Sequence, residues 1–252
     1  MKPMADALLE VSELRKSFGG LVATDRVSLD VAADEVHAVI GPNGAGKTTF
    51  IAQVSGDLRP DSGSIRFRGA DITRLPTPQR AKRGLARSFQ ITSIFRDVTV
   101  EDNVALAVQA HDGHSFRFWR DARQDPRLRD PARAVLEQVG LADRSDVVAG
   151  ALAHGEQRQL ELAMAIATQP ALLLLDEPMA GMGAEESTRM VELLQGFKGQ
   201  VGILLVEHDM DAVFALADRI TVLVGGRAIA TGTPQQIRDD EQVRHAYLGE
   251  DA

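Results

Sequence analysis

An α/β fold, built on a largely parallel sheet and interrupted by a helical insertion, is predicted by three features of the 252-residue sequence. Apolar runs at 171–175 and 201–206 each close on acidic residues, the pattern of buried parallel strands that present polar side chains at their C-terminal ends. The short apolar run Val36–Ile40 leads into a glycine loop at 41–46, and a helix starts at Lys47. Between about residues 93 and 169 the strand signal fades and helical spacing replaces it.

The elements follow in order. Residues 8–14 alternate apolar and polar side chains, as a half-buried strand does, and 27–31 do so again. After the strand at 36–40 a helix is expected over 47–54, then a strand at 64–67 turning at Arg68-Gly69. Helices are expected at 103–109, 133–139 and 157–167. The intervening stretch 111–131 is dense in charge and carries Phe116, Phe118 and Trp119. Strands return at 171–175, 201–206 and 220–224, with no tandem repeat or low-complexity linker anywhere.

Composition narrows the function classes. The length suits one large domain, or one domain carrying a subdomain. The absence of cysteine excludes disulfides, thiolate metal sites and cysteine nucleophiles. A net charge of -8 argues against a broad nucleic-acid footprint, so no nucleic-acid partner is expected. No apolar run approaches the roughly 18 residues that span a bilayer. Asp6 and Glu10 fall where a secretory signal needs uninterrupted apolar residues, so a cytoplasmic chain is expected.

Residues Gly41-Pro42-Asn43-Gly44-Ala45-Gly46-Lys47-Thr48 match G-x-x-x-x-G-K-[ST] at every fixed position, with Thr49 following. Glycines there let successive backbone N–H groups approach phosphate oxygens, and the helix that follows adds its N-terminal dipole. Lys47 is expected on the β- and γ-phosphates, and the Thr48 hydroxyl on Mg²⁺. The strand at 171–175 runs into Asp176-Glu177-Pro178. Beside a phosphate loop, Asp176 fits the Mg²⁺ shell and Glu177 the polarisation of an attacking water. Pro178 fixes the chain as it leaves the sheet. Glu207-His208-Asp209 closes the next strand in the same manner. His208 reads either as a γ-phosphate contact or as a polar strand cap, and Gln90 either as a metal-shell ligand or as a surface residue.

One further segment, Leu152-Ala153-His154-Gly155-Glu156-Gln157, completes an order that resembles an ABC ATPase cassette over essentially the whole chain. The resemblance implies a P-loop NTPase with a RecA-like parallel-sheet core, an N-terminal antiparallel β subdomain and a helical subdomain insertion. It implies one domain over 1–252, with 1–92 and 168–252 as the catalytic core and 93–167 as the helical subdomain. It further implies MgATP as substrate and cofactor, and two cassettes that face each other across two ATP. Ala153, His154, Gly155 and Glu156 then match the signature that meets the partner's γ-phosphate. Phe18 matches the adenine-stacking aromatic, with an ordinary core phenylalanine as the alternative. Gln90 matches the Q-loop, Glu177 the catalytic base and His208 the switch histidine.

Two positions depart from that pattern. Ala153-His154 stand where Ser-Gly is usual, and Met182-Gly183 where the loop after Glu177 usually ends in Leu-Asp. The expectation is an active ATPase paired with a non-identical cassette. The segments Lys16 to Leu21, Ala86 to Gln90, Ile94 to Val100, Glu177 to Met182 and Ala246 to Glu250 resemble the ATP-binding subunits of branched-chain amino-acid uptake transporters. The partners so implied are two membrane permeases and, indirectly, an extracytoplasmic binding protein. The place implied is the cytoplasmic face of the membrane. Importers of urea or amides, lipid or lipopolysaccharide export ATPases, and a soluble non-transport ABC protein are the alternatives. Phe95 and Val98 to Val100 are the expected permease contact. For 115–129 the sequence leaves open a permease surface or a solvated helix.

Overall fold

The computed structural model describes residues 7–87, 94–112 and 125–248. Its first sheet is antiparallel. Strands β1 (Leu9–Phe18) and β2 (Leu21–Val31) form a hairpin, and β4 (Ser62–Phe67) and β5 (Ala70–Asp71) extend it in the order β2-β1-β4-β5. The second sheet contains β3 (Val36–Ile40), β6 (Leu85–Arg87), β7 (Leu172–Asp176), β8 (Gly202–Val206), β9 (Arg219–Val224) and β10 (Arg227–Gly232). Its order is β10-β9-β3-β8-β7-β6, parallel throughout except for the β9–β10 hairpin.

The unbroken apolar runs of β7 and β8 follow from burial on both faces. Leu172 and Leu174, with Leu204 and Val206, pack toward the antiparallel sheet and helix α1 (Lys47–Ser55). Leu173 and Leu175, with Ile203 and Leu205, pack on the opposite face, in the core shared with the helices that follow β6. Each such side chain contributes roughly 1.5–3 kcal/mol by leaving water, so no polar alternation survives in these strands. Parallel strands buried in this way send their C-terminal ends to one edge, where ligand sites of open α/β sheets form.

Between β6 and β7 lie α3 (Val100–Asp112), α4 (Pro126–Gln138) and α5 (His154–Ala167), with 3₁₀ turns at Ala142–Arg144 and Ala149–Ala151. Val100, Val104 and Val108 of α3 meet Leu128, Ala132 and Leu136 of α4 at helical spacing. The second helix of this group starts earlier than the expected 133. Asp125 accepts the Arg127 N–H at 3.1 Å as an N-cap, and Pro126 occupies the first helical position, where its missing donor costs nothing. The charge of this stretch is used between helices: Arg129 Nη2 lies 2.5 Å from Asp102 Oδ1, and Arg133 Nε lies 3.2 Å from Glu101 Oε1. Phe116, Phe118 and Trp119 lie outside the described residues.

Several elements lacked a legible signal. β6 has three residues, and α2 (Thr77–Ala81), α7 (Met210–Leu216), α8 (Pro234–Asp239) and α9 (Glu241–Leu248) are short. The longer α6 (Ala184–Phe197) starts from a Gly183 cap and buries Met190, Leu194 and Phe197. No helix among the described residues is long and apolar enough to cross a membrane.

Candidate functional site

The site forms where β3, β7 and β8 end side by side. β3 passes into the loop 41–46, whose Gly44 and Gly46 have φ of 79° and 99°. Gly46 is required on two grounds, since a Cβ there would also stand 2.1 Å from the Ala23 carbonyl oxygen. Gly41 is equally confined, with a Cβ placed 2.1 Å from the Leu223 carbonyl oxygen. Pro42, Asn43 and Gly44 are exposed, while Ala45 packs inward and its carbonyl accepts the Gly226 N–H at 3.0 Å.

α1 begins at Lys47 with no side-chain cap and no acidic residue in its first turn. Its leading N–H groups therefore have no acceptor from a capping side chain, which is the arrangement that receives an anion. Thr48 is exposed beside them and Thr49 half-buried. The Lys47 ammonium lies inside the loop and donates to the carbonyls of Gly41 at 2.5 Å and Pro42 at 3.2 Å. Burial pushes its pKa down, against the opposing pull of Glu177, Asp176 and Glu207, so three carboxylates face this one cation.

Asp176 is the last residue of β7, paired in register with Val206 of β8. Its Oδ2 accepts from Arg87 Nη2 at 3.1 Å, and burial holds its carboxyl above the usual range even beside that cation. Arg87 also reaches Asp57 and, at 3.0 Å, the Ser55 hydroxyl. The other oxygen, Asp176 Oδ1, is buried with no hydrogen-bond partner. A buried carboxylate oxygen left unsatisfied is a hard oxygen donor of the kind that suits Mg²⁺, as is the exposed Thr48 hydroxyl.

Glu177 follows with φ 51°, and its N–H donates to the Val206 carbonyl at 2.8 Å. Such a left-handed turn in a non-glycine residue aims the side chain out of the sheet at the strand end. Its Oε1 lies 3.8 Å from His208 Nδ1, and the His208 side chain is 60% exposed. Lys47, Asp176, Glu177 and His208 are thus gathered at one edge, with Thr48 beside Lys47. Gln90 lies outside the described residues.

Phe18 ends β1 with half its surface exposed and Lys16 Nζ 5.7 Å from its ring centroid. The core alternative for Phe18 therefore fails. Ala153, His154, Gly155 and Glu156 form a separate group. Here the expected start of α5 needs correction: Ala153 is the N-cap, and His154, Gly155 and Glu156 already lie within the helix. Glu156 drives the early start, because its Oε2 accepts the Ala153 N–H at 2.9 Å while Oε1 accepts from Arg144 at 2.9 Å. A Cβ on Gly155 would stand 2.6 Å from Glu186 Oε1, and one on Gly181 would stand 3.4 Å from the His154 ring. This segment therefore packs against the loop after Glu177 and the start of α6.

Three residues beyond the sequence reading complete the site: Arg87, Asp57 and Glu207. Only Glu207 carried a signal, as one of the acidic residues closing a buried strand. Arg87 and Asp57 depend on contacts between distant segments.

A family described as ABC transporter matches residues 24–180, and one described as branched-chain amino acid ATP-binding cassette transporter matches 229–252. The chain is 39% identical to the high-affinity branched-chain amino acid transport ATP-binding protein BraF of Pseudomonas aeruginosa, over 98% of this chain and 100% of that protein. It is 34% identical to the lipopolysaccharide export system ATP-binding protein LptB of Haemophilus influenzae, over 97% and 98%. The ADP conformation of an ATP-binding cassette of an ABC transporter superposes with a TM-score of 0.82 at 28% identity, covering 97% of this chain and 99% of that one.

Proposed function

Because the chain belongs to the ABC transporter family and is one of its ATP-hydrolysing cassettes, we propose that it powers the uptake of branched-chain amino acids through partner permeases, with Glu177 as the catalytic base. The observation that carries the site assignment is the convergence of Lys47, Asp176, Glu177 and His208 at the ends of three adjacent strands. The loop amides of 41–46 and the N-terminus of α1 bind the phosphates, and Lys47 adds a cation. Phe18 offers its exposed ring to the adenine, as an aromatic outside the core does.

Hydrolysis then needs one water in line with the γ-phosphorus. Glu177 accepts a proton from that water as the new P–O bond forms, and the bond to the β–γ bridging oxygen breaks, leaving ADP and phosphate. His208, beside Glu177, donates to a γ-phosphate oxygen and feels its departure. Thr48, Asp176 and Gln90 would hold Mg²⁺, whose charge neutralises the phosphate oxygens when bound. Ala153 to Glu156 would face the γ-phosphate held by a second cassette. With Ala153-His154 and Met182-Gly183 at the positions that complete the opposite site, that second cassette is non-identical.

The transport reading rests on the higher identity to BraF than to LptB and on the separate match of residues 229–252. The membrane partners dock at the groove of about 470 Å³ between α2 and β6 on one side and α3 and α5 on the other, lined by Ala86, Ala107, Ala110 and Met164. Phe95 stands exposed beside the helical group, its N–H and C=O both held by the Asn103 side chain at 2.7 and 3.0 Å. This location is the cytoplasmic face, with an extracytoplasmic binding protein supplying substrate to the permeases. Affinity purification of the tagged chain from membranes tests the assembly, and uptake of labelled leucine, isoleucine and valine tests the substrate. Two permeases, a second cassette and loss of uptake on deletion are expected. A homodimer with lipid-export subunits, and unchanged uptake, would overturn the import reading.

A further inference from the structure

Glu207 is fully buried, yet it has no Lys or Arg within ion-pair distance among the described residues. A buried carboxyl group needs N–H donors for its oxygens, and here they come from two separate loops. Its Oε1 accepts from Met179 N–H at 3.1 Å, two residues beyond Glu177. Its Oε2 accepts from His208 N–H at 2.8 Å and from Asp209 N–H at 3.4 Å, and His208 Nδ1 stands 3.4 Å away. Since β7 and β8 are paired up to Asp176 and Val206, this single carboxylate spans the two turns that leave the neighbouring strand ends.

We propose that Glu207 is a positioning residue that fixes the Glu177–Met179 turn to His208 as one rigid unit, so that phosphate contact at His208 sets the orientation of Glu177. The proposal rests on Glu177 as base and His208 as phosphate contact. The physical reason is that the carboxylate is satisfied only while both turns stay in place. Displacing either turn leaves a buried carboxyl oxygen short of donors, so the two move together or not at all. A neutral amide cannot serve equally. One end of a glutamine presents N–H to backbone N–H groups, so one of the two turns loses its acceptor.

The test uses the cassette in its assembled transporter, with MgATP as the probe. For Glu207→Gln, kcat falls by about 10–100-fold while KM and MgATP affinity stay within about 2-fold, the signature of a lost supporting contact behind the reacting group. In the double variant with His208→Ala, kcat equals that of His208→Ala within about 2-fold, because without the imidazole there is no phosphate contact left for Glu207 to pass to Glu177. A kcat within about 2-fold of the parent for Glu207→Gln would overturn the proposal. So would affinity that falls in parallel with kcat, or losses that multiply in the double variant. Should the Gln variant fail to fold, Glu207→Asp gives the same reading: its shortened carboxylate cannot span both turns, so kcat falls and affinity does not. Unchanged kcat there would again overturn the role. A Glu177→Gln control separates the two levels of the argument. If it still hydrolyses ATP, the proposed function fails. If it is inactive while Glu207→Gln is normal, only the positioning role fails.

Discussion

Arg87 and Asp176 form an ion pair in which Nη2 and Oδ2 are 3.1 Å apart and the Asp176 side chain is 1% exposed. The same guanidinium reaches Asp57, just beyond the C-terminus of α1, so one cation joins the end of β6, the end of β7 and the helix of the phosphate loop. Arg87 is also three residues ahead of Gln90 in the chain, on the strand that leads to it.

Arg87→Ala should therefore destabilise the fold by about 3 kcal/mol at pH 7, because it leaves the buried Asp176 carboxylate without its cation. For a chain of this length that lowers Tm by about 6–10 °C. The deficit should shrink on acidification. Burial already holds the Asp176 pKa above its ordinary value. A carboxyl raised in the folded state costs its full stability penalty above that raised pKa, and the penalty fades as pH falls toward the unfolded-state value. Asp57 acts in the same direction. Burial raises its pKa, but hydrogen bonds from Ser55 and Thr77 and the Arg87 charge bring it below the usual value, a stabilisation lost as pH falls. Denaturant titrations of parent and variant at pH 7 and near pH 4 check this, and an equal gap at both would contradict it.

Arg80 is a second buried guanidinium, 1% exposed, and it donates to four backbone carbonyls: Leu75 at 2.8 Å, Gln53 at 2.8 Å, Val54 at 2.7 Å and Thr73 at 3.0 Å. Burial pushes its pKa down to about 10, so it remains charged at neutral pH. Arg80→Lys keeps the charge but loses the planar fork, stranding at least one carbonyl. The expected cost is about 2 kcal/mol by denaturant unfolding. No loss of stability would show that the carbonyls find other donors.

The packing of Gly155 on Glu186 predicts a coupled pair. A Cβ at 155 displaces the end of the Glu186 side chain, whose other oxygen accepts the Gly183 N–H at 3.2 Å at the start of α6. Gly155→Ala should cost about 1 kcal/mol, the worth of a lost cap, and Glu186→Ala about the same. The double variant should cost little more than either alone, as measured by thermal unfolding. Full additivity would show that the two residues act separately.

Much of this architecture was legible in the residue pattern, for identifiable reasons. The strand Val36–Ile40 and the helix start at Lys47 fall where expected, because a glycine loop between apolar run and helix admits few conformations. β7 and β8 were visible because burial on both faces removes every polar residue until the strand ends. β6 was not, since Leu-Ala-Arg carries no periodicity and becomes a strand only by pairing with Leu172 to Leu174. In the site, Lys47, Asp176, Glu177 and His208 announce themselves through fixed neighbours in sequence. Arg87 acquires its place from partners 30 and 89 residues away, which no local pattern encodes.

The central claim is that Glu177 withdraws a proton from the attacking water, and the most direct measurement is steady-state ATP hydrolysis by Glu177→Gln in the assembled transporter, paired with a nucleotide-binding assay. A carboxamide keeps the shape but has no basic oxygen for the proton. Hydrolysis should fall by at least about 100-fold while ATP stays bound and the paired cassettes remain closed on it. Hydrolysis within a few-fold of the parent would contradict the assignment.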